Sequence, residues 1–555
     1  MTRFHQWARM PVIFGILALV AAAPYSVRGV GVVATDHALS AKAGAEILAR
    51  GGTAVDAAVA AALSAGVVQP AGSGLGGGGF AVVVQADGTR ASLDFREVAP
   101  AGASRDMFLD ASGGADSALS RASGLAVGVP GESRGLMQLV ENWGRLSPRE
   151  VAAPAIRQAS GGTPVGQHLA LAFGATTHEE VGRAFFSGGS PLERGDRMVR
   201  GRLARTLRRW ASSRGEDLHA GFGADAILSA VQRRGGVMTA EDLRSYKPVQ
   251  RDPIVARFMG HSVVTMPPPS SGGIVLAQLL RVLEGYDLAS LGHNSSDYIH
   301  LLAEAMKHAY ADRAHHMGDP DFVEVPVQRL LSDDRVAEIR HKIWPGRTFE
   351  SAYYGALIAP PTDGGTTHIS VVDRQGMAVA LTSTINTSFG SGIVAADLGV
   401  ILNNEMDDFS AQPGVPNAYG LIGAEANAVE AGKRPLSSMT PTVILDEEGR
   451  VKMSVGGSGG SHIISSTLQV VLNVLVFGMD AQEAVSAPRF HHQWQPDTLF
   501  VEGPISLDVE RALTARGHAV TRYDRSIAVQ AVTRDDEGLA GGSDPRKGGW
   551  PAAQD

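Results

Sequence analysis

The sequence of 555 residues contains no cysteine. Disulfides, thiolate metal sites and a cysteine nucleophile are therefore excluded together. The absence also suits an oxidising compartment, where a free thiol is a chemical liability. Charged residues are sparse at 19% and aromatic residues at 6%, whereas there are 67 glycines. We expect close main-chain packing around a small ligand rather than a broad, charged binding face.

The chain also lacks an excess of positive charge, since its formal net charge is −8. Nucleic acid is therefore not an expected partner. The hydrophobic share of 44% is typical of a globular protein with a sizeable core. The length allows either one large fold or two to four ordinary domains.

No apolar run of comfortable membrane-spanning length is present. The longest run, residues 11–23, follows Arg3 and Arg9 and ends in small alanines. This order is typical of a secretory signal peptide with cleavage after Ala22 or Ala23, and the run is short for a membrane anchor. We therefore predict an exported protein, periplasmic or secreted, without a stable membrane anchor.

Residues 147–343 are richer in helical pattern than the rest, and one helix is predicted ahead of them, before a strand at residues 80–85. Residues 53–67 predict an alanine-rich helix, in which Thr53 and Asp56 have the spacing of a capping box. A second, longer helix is predicted over residues 297–316, with Ser296 capping its start. Small side chains on every face of the first helix indicate that it lies between closely packed layers.

Strands dominate the last third of the sequence. A hairpin, two further strands and a helix are predicted, in order, at residues 367–372 with 377–384, 443–445, 452–455 and 463–477. Turn formers crowd residues 344–365 ahead of the hairpin, which makes this stretch the best candidate for an exposed, cleavable connection. Strands near both ends with helices between them predict a layered α/β sandwich.

The first glycine-rich motif, residues 72–77, matches the G-x-G-x-x-G pattern. A dinucleotide site needs a strand before this pattern and a helix after it. Here a predicted helix comes before and a predicted strand follows. The motif therefore indicates a tight helix-to-strand passage, and no nucleotide cofactor is expected.

A second motif, residues 456–460, matches G-x-S-x-G between a predicted strand and a predicted helix. That context is the one a serine nucleophile elbow requires. Candidate partners for Ser458 follow in the right chain order for a triad: Asp480 or Asp497, then His491, His492 or His518. The alternative uses main-chain N–H groups at the helix start to bind an anion or an oxyanion.

A threonine offers a third possibility, within residues 364–368. A threonine hydroxyl is a weak nucleophile unless a free amine on the same residue takes its proton. An α-amine has a reference pKa of about 7.7–8.0 and is therefore suited to general-base work. Thr366 acquires such an amine only if the chain is cut before it, and Gly365 allows the unusual geometry that this cut needs. The competing interpretation is an ordinary strand start.

The motifs together resemble the γ-glutamyltransferase family of N-terminal nucleophile hydrolases. The resemblance runs from about residue 31 to about residue 548. Its most specific segments are residues 74–80, 94–97, 269–273, 366–386, 403–409, 433–439 and 459–461. The family usually has proline at the position of Ser458, so this serine departs from the family pattern, and a chemical role for it is disfavoured.

The resemblance implies a precursor that cuts itself between Gly365 and Thr366. Residues 1–23 are then a signal peptide, residues 24–365 a large subunit and residues 366–555 a small subunit that pairs with it. The implied fold is α/β, a four-layer αββα sandwich that the two subunits form together. No cofactor and no metal is implied, and the paired histidines at 315–316 and 491–492 are expected to be structural.

The resemblance also implies roles for individual side chains. Thr366 is the nucleophile and Thr384 supports it, while Gly459 and Gly460 supply oxyanion-hole N–H groups. A γ-glutamyl head presents one carboxylate and one ammonium, and so needs both a cationic fork and anionic acceptors. The implied carboxylate ligands are Arg96, Ser437 and Ser438, and the implied ammonium ligands are Asn386, Glu405 and Asp408.

The predicted activity is cleavage of the γ-glutamyl amide of glutathione and related compounds. The γ-glutamyl group then passes to water or to an amino-acid or dipeptide acceptor. Two alternatives remain: a cephalosporin acylase that takes glutaryl groups, and an uncleaved relative that only binds γ-glutamyl ligands. Residues 409–433 are rich in turn formers, and we expect them to form a lid in which Tyr419 covers the acyl site.

Overall fold

The computed structural model describes residues 26–186, 188–355, 365–410, 425–523 and 527–554. The predicted signal peptide lies outside these residues, and so does Tyr419. Two seven-stranded sheets form the centre of the molecule, and every strand pair within them is antiparallel. Within the described ranges, no helix is long and apolar enough to cross a lipid bilayer.

The first sheet, called here the Thr366 sheet, has the predicted hairpin at its centre. Its strands, in spatial order, are Ala552–Gln554, Gly31–Thr35, Thr366–Val372, Ala378–Thr384, Gly78–Val84, Arg90–Asp94 and Val249–Arg251. The hairpin strands are buried along their whole length. Strands from the beginning, the middle and the end of the chain thus meet in one sheet.

The second sheet, called here the Ser458 sheet, packs face to face against the first. Its strands, in spatial order, are Val27–Gly29, Gly538–Ser543, Ala528–Asp535, Val451–Ser458, Thr442–Leu445, His261–Thr265 and Ile254–Phe258. Smaller sheets pair Thr163–Pro164 with Arg197–Met198, Val394–Ala395 with Val400–Ile401, and Phe490–His491 with Leu499–Glu502 and Val520–Tyr523.

Helices cover the outer faces of the two sheets. The longer helices before residue 250 are Ala38–Ala49, Ala54–Val68, Glu132–Trp143, Pro148–Gly161, Gln167–Ala175, Gly201–Ser213 and Phe222–Gln232. The longer helices after it are Gly272–Leu283, Ser296–His316, Asp333–Lys342, His462–Leu475 and Leu507–Ala515. Shorter helices lie at Ser117–Ala122, Glu179–Phe185, Asp217–Ala220, Ala240–Ser245, Leu288–Leu291, Val327–Leu330 and Ala481–Ser486.

Three hydrophobic clusters separate the four layers. One lies between the Thr366 sheet and the first group of helices and includes Val59 and Leu381. A second lies between the two sheets and includes Phe80 and Val443. A third lies between the Ser458 sheet and the later helices and includes Met453. The predicted four-layer αββα sandwich is confirmed by this arrangement.

The alanine-rich helix Ala54–Val68 shows how the sequence produces this packing. All fifteen of its residues are buried, and small side chains let the layers approach on every side. Its first turn is stabilised by the predicted capping box, in which the Thr53 side chain accepts from the Asp56 N–H and Asp56 bonds back to Thr53.

Two boundary predictions are corrected by the structure. The long helix is Ser296–His316, and Ser295 caps it by accepting from the Tyr298 N–H, so the predicted cap at Ser296 is one residue late. The strand predicted over 452–455 is Val451–Ser458. The two glycines in it do not end the strand because the neighbouring strand Ala528–Asp535 continues to pair with them.

One carboxyl group is buried between the helices and the Thr366 sheet. Glu132 begins the helix Glu132–Trp143 and is 1% exposed. The Ser383 hydroxyl bonds both of its carboxyl oxygens, at 2.8 and 2.9 Å. Burial raises the pKa of Glu132 from 4.5 to about 8, although the Ser383 bond acts in the opposite direction.

We predict that Glu132 makes stability pH-dependent. Because its folded pKa is raised, its favourable contribution is present below pH 4.5 and is lost as the pH rises towards about 8. Glu132→Gln removes the titrating group. In scanning calorimetry, the melting temperature of the variant minus that of the wild type should therefore increase from pH 5 to pH 8. Glu141→Gln, on the exposed face of the same helix, is the control and should show a constant difference. A constant difference for Glu132→Gln as well would contradict the prediction.

Candidate functional site

Thr366 and Thr384 face each other at one end of the central hairpin. They are directly opposed in the strand register, and their hydroxyl oxygens are 3.1 Å apart. Both side chains are buried. The turn that sets this register is closed by Asp373, whose carboxylate accepts from the Gln375 and Met377 N–H groups.

The hydrogen bonds of Thr384 define the direction of the Thr366 hydroxyl. Thr384 Oγ1 donates to the Gly365 carbonyl oxygen at 2.9 Å and accepts from the Asn386 N–H at 2.9 Å. A hydroxyl has a single hydrogen to donate. Thr366 Oγ1 must therefore be the donor in the bond between the two threonines. The structure thus brings together a threonine hydroxyl, an acceptor for its proton, and a polarised carbonyl one residue upstream.

The first glycine motif packs against this pair. The helix Ala54–Val68 precedes it and the strand Gly78–Val84 follows it, which is the order that argues against dinucleotide binding. A Cβ atom on Gly77 would lie 1.9 Å from the Thr384 carbonyl oxygen, and one on Gly72 would lie 3.5 Å from the Thr366 carbonyl oxygen. Glycine is required at Gly77 because the two main chains approach so closely.

The second glycine motif forms a turn between a strand and a helix. Gly459 and Gly460 have positive φ angles of 133° and 57°, and the helix His462–Leu475 begins just after them. A small cleft opens here, and its lining contains Arg96, Thr366, Thr384, Asn386, Glu405, Asp408, Ser437, Ser438, Met439, Gly460 and Ile463. Nine of the predicted site residues thus line one cleft.

The serine-elbow interpretation of Ser458 is not supported. Ser458 is fully buried, and its hydroxyl donates to Asp36 at 3.0 Å. The histidines proposed as its partners bond elsewhere: His491 to Ser465, His492 to Asp497, and His518 to His300. Asp480 caps the helix Ala481–Ser486. The pattern match was correct about the strand and the helix but not about where the hydroxyl points.

Arg96 is the cationic centre of the cleft. It is 1% exposed, and its two terminal nitrogens bond Glu405 and Asp408. It also donates to the carbonyl oxygens of Pro435 and Leu436, both at 3.2 Å. Burial opposes the charge on Arg96, yet Glu405 and Asp408 raise its pKa above the usual value.

The two carboxyl groups show how strongly this cluster is desolvated. Burial raises the pKa of Glu405 to about 7 and that of Asp408 to about 6, against the effect of Arg96. Arg96, predicted to bind a carboxylate, is thus in direct contact with two of the residues predicted to bind an ammonium, Glu405 and Asp408. Asn386, also at the cleft, has a φ of 73°, a conformation that asparagine tolerates better than most residues.

Ser437 and Ser438 also line the cleft, and a second buried arginine contacts Ser438. Arg313, on the helix Ser296–His316, donates to Ser271 Oγ at 2.8 Å and to Ser438 Oγ at 3.3 Å. Burial lowers the pKa of Arg313 to about 10. Sequence reasoning missed Arg313. The sequence shows only a helix with several charged residues, and its almost complete burial is seen in the structure alone.

Asn427 was also missed, and it joins two of the predicted motifs. Its amide nitrogen donates to the Asp408 carbonyl oxygen at 2.7 Å, and its amide oxygen accepts from the Leu436 N–H at 3.0 Å. Ser410 and Ala428 form an isolated bridge nearby. The two described ends of the segment between these motifs, at Ser410 and at Asn427, therefore both lie near the cleft. Tyr419 and the rest of the predicted lid lie outside the described residues, so that role stays a prediction.

One group of side chains in the described part of the chain has a metal-like arrangement, away from the cleft lining. Ligand atoms of His300, Glu304 and His518 lie within 4.8 Å of one another. Glu304 already accepts from the hydroxyls of Thr348 and Tyr354, both at 2.5 Å. The ammonium of the nearby Lys307 lies 3.7 Å from Glu304 and disfavours a second cation. We assign no metal to this group.

Comparison with known proteins shows the family of the chain. Residues 40–554 match the family described as Gamma-glutamyltranspeptidase. The chain belongs to this family. The predicted resemblance is thereby confirmed. A "Glutathione hydrolase proenzyme" of Escherichia coli (strain K12) is 43% identical over 524 residues, which cover 93% of this chain and 90% of that protein.

Solved structures of the same fold include family members and an acylase. A cephalosporin acylase from Bacillus halodurans superposes with a TM-score of 0.83 at 27% identity, covering all of both chains. The γ-glutamyltranspeptidase of Helicobacter pylori gives a TM-score of 0.55 at 38% identity, covering 57% of this chain and 92% of that one. The predicted N-terminal nucleophile hydrolase fold is confirmed.

We predict that the expected cleavage before Thr366 depends on the Thr384 hydroxyl. Thr384→Ala removes both the donor to the Gly365 carbonyl and the acceptor of the hydrogen bond from the Thr366 hydroxyl. Loss of one preorganised donor to a developing oxyanion costs on the order of 10²–10³ in rate. The precursor should therefore persist on a denaturing gel over a time course in which the wild type is fully cut. Thr384→Ser keeps the hydroxyl and should mature; equal rates for both variants would contradict the prediction.

Proposed function

We propose that this protein is a γ-glutamyltransferase and glutathione hydrolase that matures by cutting itself between Gly365 and Thr366. The observation that supports it most directly is the contact of Thr384 Oγ1 with both the Thr366 hydroxyl and the Gly365 carbonyl. The family match and the "proenzyme" name of the Escherichia coli relative support it further.

Maturation begins when Thr366 Oγ1 attacks the Gly365 carbonyl carbon. The hydroxyl proton moves to the nitrogen of Thr366 as the peptide C–N bond breaks, and an ester joins Gly365 to the Thr366 side chain. Water hydrolyses this ester, leaving a carboxylate on Gly365 and a free α-amine on Thr366. Residues 24–365 and 366–555 then form the large and small subunits of one molecule.

The new α-amine serves as the general base for turnover. It accepts the Thr366 hydroxyl proton as Oγ1 attacks the γ-carbonyl carbon of glutathione, and the developing oxyanion is bound by the N–H groups of Gly459 and Gly460. Cysteinylglycine leaves with a proton, and a γ-glutamyl ester of Thr366 remains. Water then releases glutamate, or the amine of an amino acid or dipeptide takes the γ-glutamyl group.

The charges of the cleft match the head of a γ-glutamyl substrate. Its carboxylate pairs with Arg96, beside Ser437 and Ser438, and its ammonium pairs with Glu405, Asp408 and Asn386. A zwitterionic head thus replaces the contacts between Arg96 and the two acids: the substrate carboxylate becomes the partner of Arg96, and the substrate ammonium becomes the partner of the acids. No buried charge is left without a partner, and leaving one would be costly.

A glutaryl acylase is the second candidate, because the acylase from Bacillus halodurans has the same fold. A glutaryl group has a carboxylate but no ammonium. If the glutaryl carboxylate paired with Arg96, it would displace Glu405 and Asp408 from that arginine. Neither acid would then have a cationic partner. The contact of both acids with Arg96 therefore favours γ-glutamyl over glutaryl substrates. We also propose export, directed by residues 1–23.

The direct test of the proposal uses Thr366→Ala. The same hydroxyl is needed for cutting and for turnover, so this variant should run as one band and should not release the anilide from a γ-glutamyl anilide. The wild type should run as two bands and should turn over faster when glycylglycine is added as acceptor. Two bands from Thr366→Ala would refute self-cleavage. A cut wild type without γ-glutamyl turnover would refute the substrate assignment.

A second prediction separates ammonium binding from carboxylate binding. Asp408→Asn removes one negative partner of the substrate ammonium, and removing one partner of a buried charge pair costs roughly 2–5 kcal/mol. We expect kcat/KM for the γ-glutamyl anilide to fall by at least about thirtyfold. Turnover of a glutaryl anilide, which has no ammonium, should change much less. Equal losses on the two substrates would remove Asp408 from ammonium binding.

A further inference from the structure

A buried polar cluster lies behind Thr366, outside the cleft lining. It consists of Asp36, Ser458, Gln530 and Lys547, each less than 6% exposed. Lys547 Nζ donates to Ser458 Oγ at 2.8 Å and lies 3.6 Å from Asp36 Oδ2. The third contact of this ammonium is the carbonyl oxygen of Thr366, at 3.0 Å.

The position of the cluster follows from where strand pairing stops. The strand Gly31–Thr35 pairs with the strand Thr366–Val372 only from Ile369 onwards, where Ile369 faces Thr35. Residues 366–368 therefore have no partner in this neighbouring strand. Asp36 is the next residue after the last paired one, and it holds Lys547 in contact with Thr366. The side-chain contacts from Asp36 through Lys547 to Thr366 thus connect the two strands where their main-chain hydrogen bonds end.

The same ammonium reaches the oxyanion turn. Ser458 is the last residue of the strand Val451–Ser458 and is followed directly by Gly459 and Gly460. Because Lys547 donates to both Ser458 Oγ and the Thr366 carbonyl, it joins the two central sheets at the point where nucleophile and oxyanion donors must be in register. Lys547 itself lies in the turn Pro545–Lys547, near the end of the chain.

We propose that Lys547, held by Asp36, is a positioning residue that anchors the main chain of Thr366 relative to the Gly459–Gly460 turn. The need for an anchor rests on the proposed function. Once the bond to Gly365 is cut, Thr366 becomes a chain end, and chain ends fray unless they are held. Its remaining neighbour in the sheet is the strand Ala378–Thr384, which pairs with it from one side.

An ammonium suits this task better than a neutral donor. Hydrogen bonds from a charged donor are roughly twice as strong as neutral ones. The buried charge is balanced by Asp36, which also accepts from Ser458 and Gln530. Burial raises the pKa of Asp36, and Lys547 acts to lower it. Asp544 also acts to raise the pKa of Asp36, and Asp544 is itself paired with Arg489 and Arg546.

The test replaces the ammonium by an uncharged side chain of similar length. In mature Lys547→Met, kcat should fall by about a hundredfold, because a displacement of about 1 Å can cost that much. KM should stay within about threefold, since Arg96 and its partners are untouched. Lys452→Met is the matched control: Lys452 also donates to a main-chain carbonyl, that of Arg534 at 3.0 Å, but near the other end of the strand Val451–Ser458. It should retain wild-type kcat.

A double variant separates anchoring from charge balance. Lys547→Met leaves Asp36 buried without its cation, whereas Asp36→Asn with Lys547→Met removes both charges. If the ammonium anchors Thr366, the double variant should fold with near wild-type melting temperature and still have low kcat. Recovery of wild-type kcat in the double variant would overturn the proposal, and so would an unchanged kcat in mature Lys547→Met.

Hydrogen exchange tests the anchor without relying on turnover. In the mature proteins, the amides of Thr367 and His368 should exchange at least about tenfold faster in Lys547→Met than in the wild type or in Lys452→Met. Unchanged exchange would overturn the anchor even if activity were lost. A different result would separate the two claims. If exchange is faster in Lys547→Met than in the wild type, but the wild type has no γ-glutamyl turnover, the proposed function is refuted and the anchor stands.

Discussion

The cross-strand pairing of Thr366 with Thr384 is the constraint on which the rest of the site depends. Strand side chains alternate between the two faces of a sheet, so a slip of one residue in this hairpin would turn Thr384 to the opposite face. Asp373 prevents the slip by closing the turn, and the close approach of Gly77 to Thr384 leaves no room for a different register. The fold therefore defines the geometry of two hydroxyl groups before any substrate is bound.

The cleft beside this pair combines opposite charges that are almost wholly removed from water. Such an arrangement is costly unless every charge has a partner. Arg96 is paired with both Glu405 and Asp408, and Asn427 joins the chain segment that carries Asp408 to the one that carries Leu436. The proposed specificity for a zwitterionic head rests on this balance, because only a ligand with both charges leaves it undisturbed. A ligand with one charge would break it.

The sequence was most informative where local pattern and chemistry coincide. The hairpin, the capping box at Thr53 and the strand-to-helix context of residues 456–460 could all be predicted, because each depends on residues close together in the chain. The family resemblance added Arg96 and Asp408, which no spacing argument could have joined. Arg313 and Lys547 escaped prediction. Lys547 contacts Thr366 from 181 residues away, and a single lysine near the end of a chain resembles any solvated surface residue.

The strand order of the two sheets has a consequence for the mature protein. Cutting before Thr366 leaves the strand Thr366–Val372 between Gly31–Thr35, from the first piece, and Ala378–Thr384, from its own. Both sheets mix strands from the two pieces, so neither piece retains a complete sheet or a closed hydrophobic core by itself. The halves would not separate without unfolding. Each mature molecule would keep both halves of the one polypeptide from which it was made, and a damaged half could not be exchanged for a fresh one.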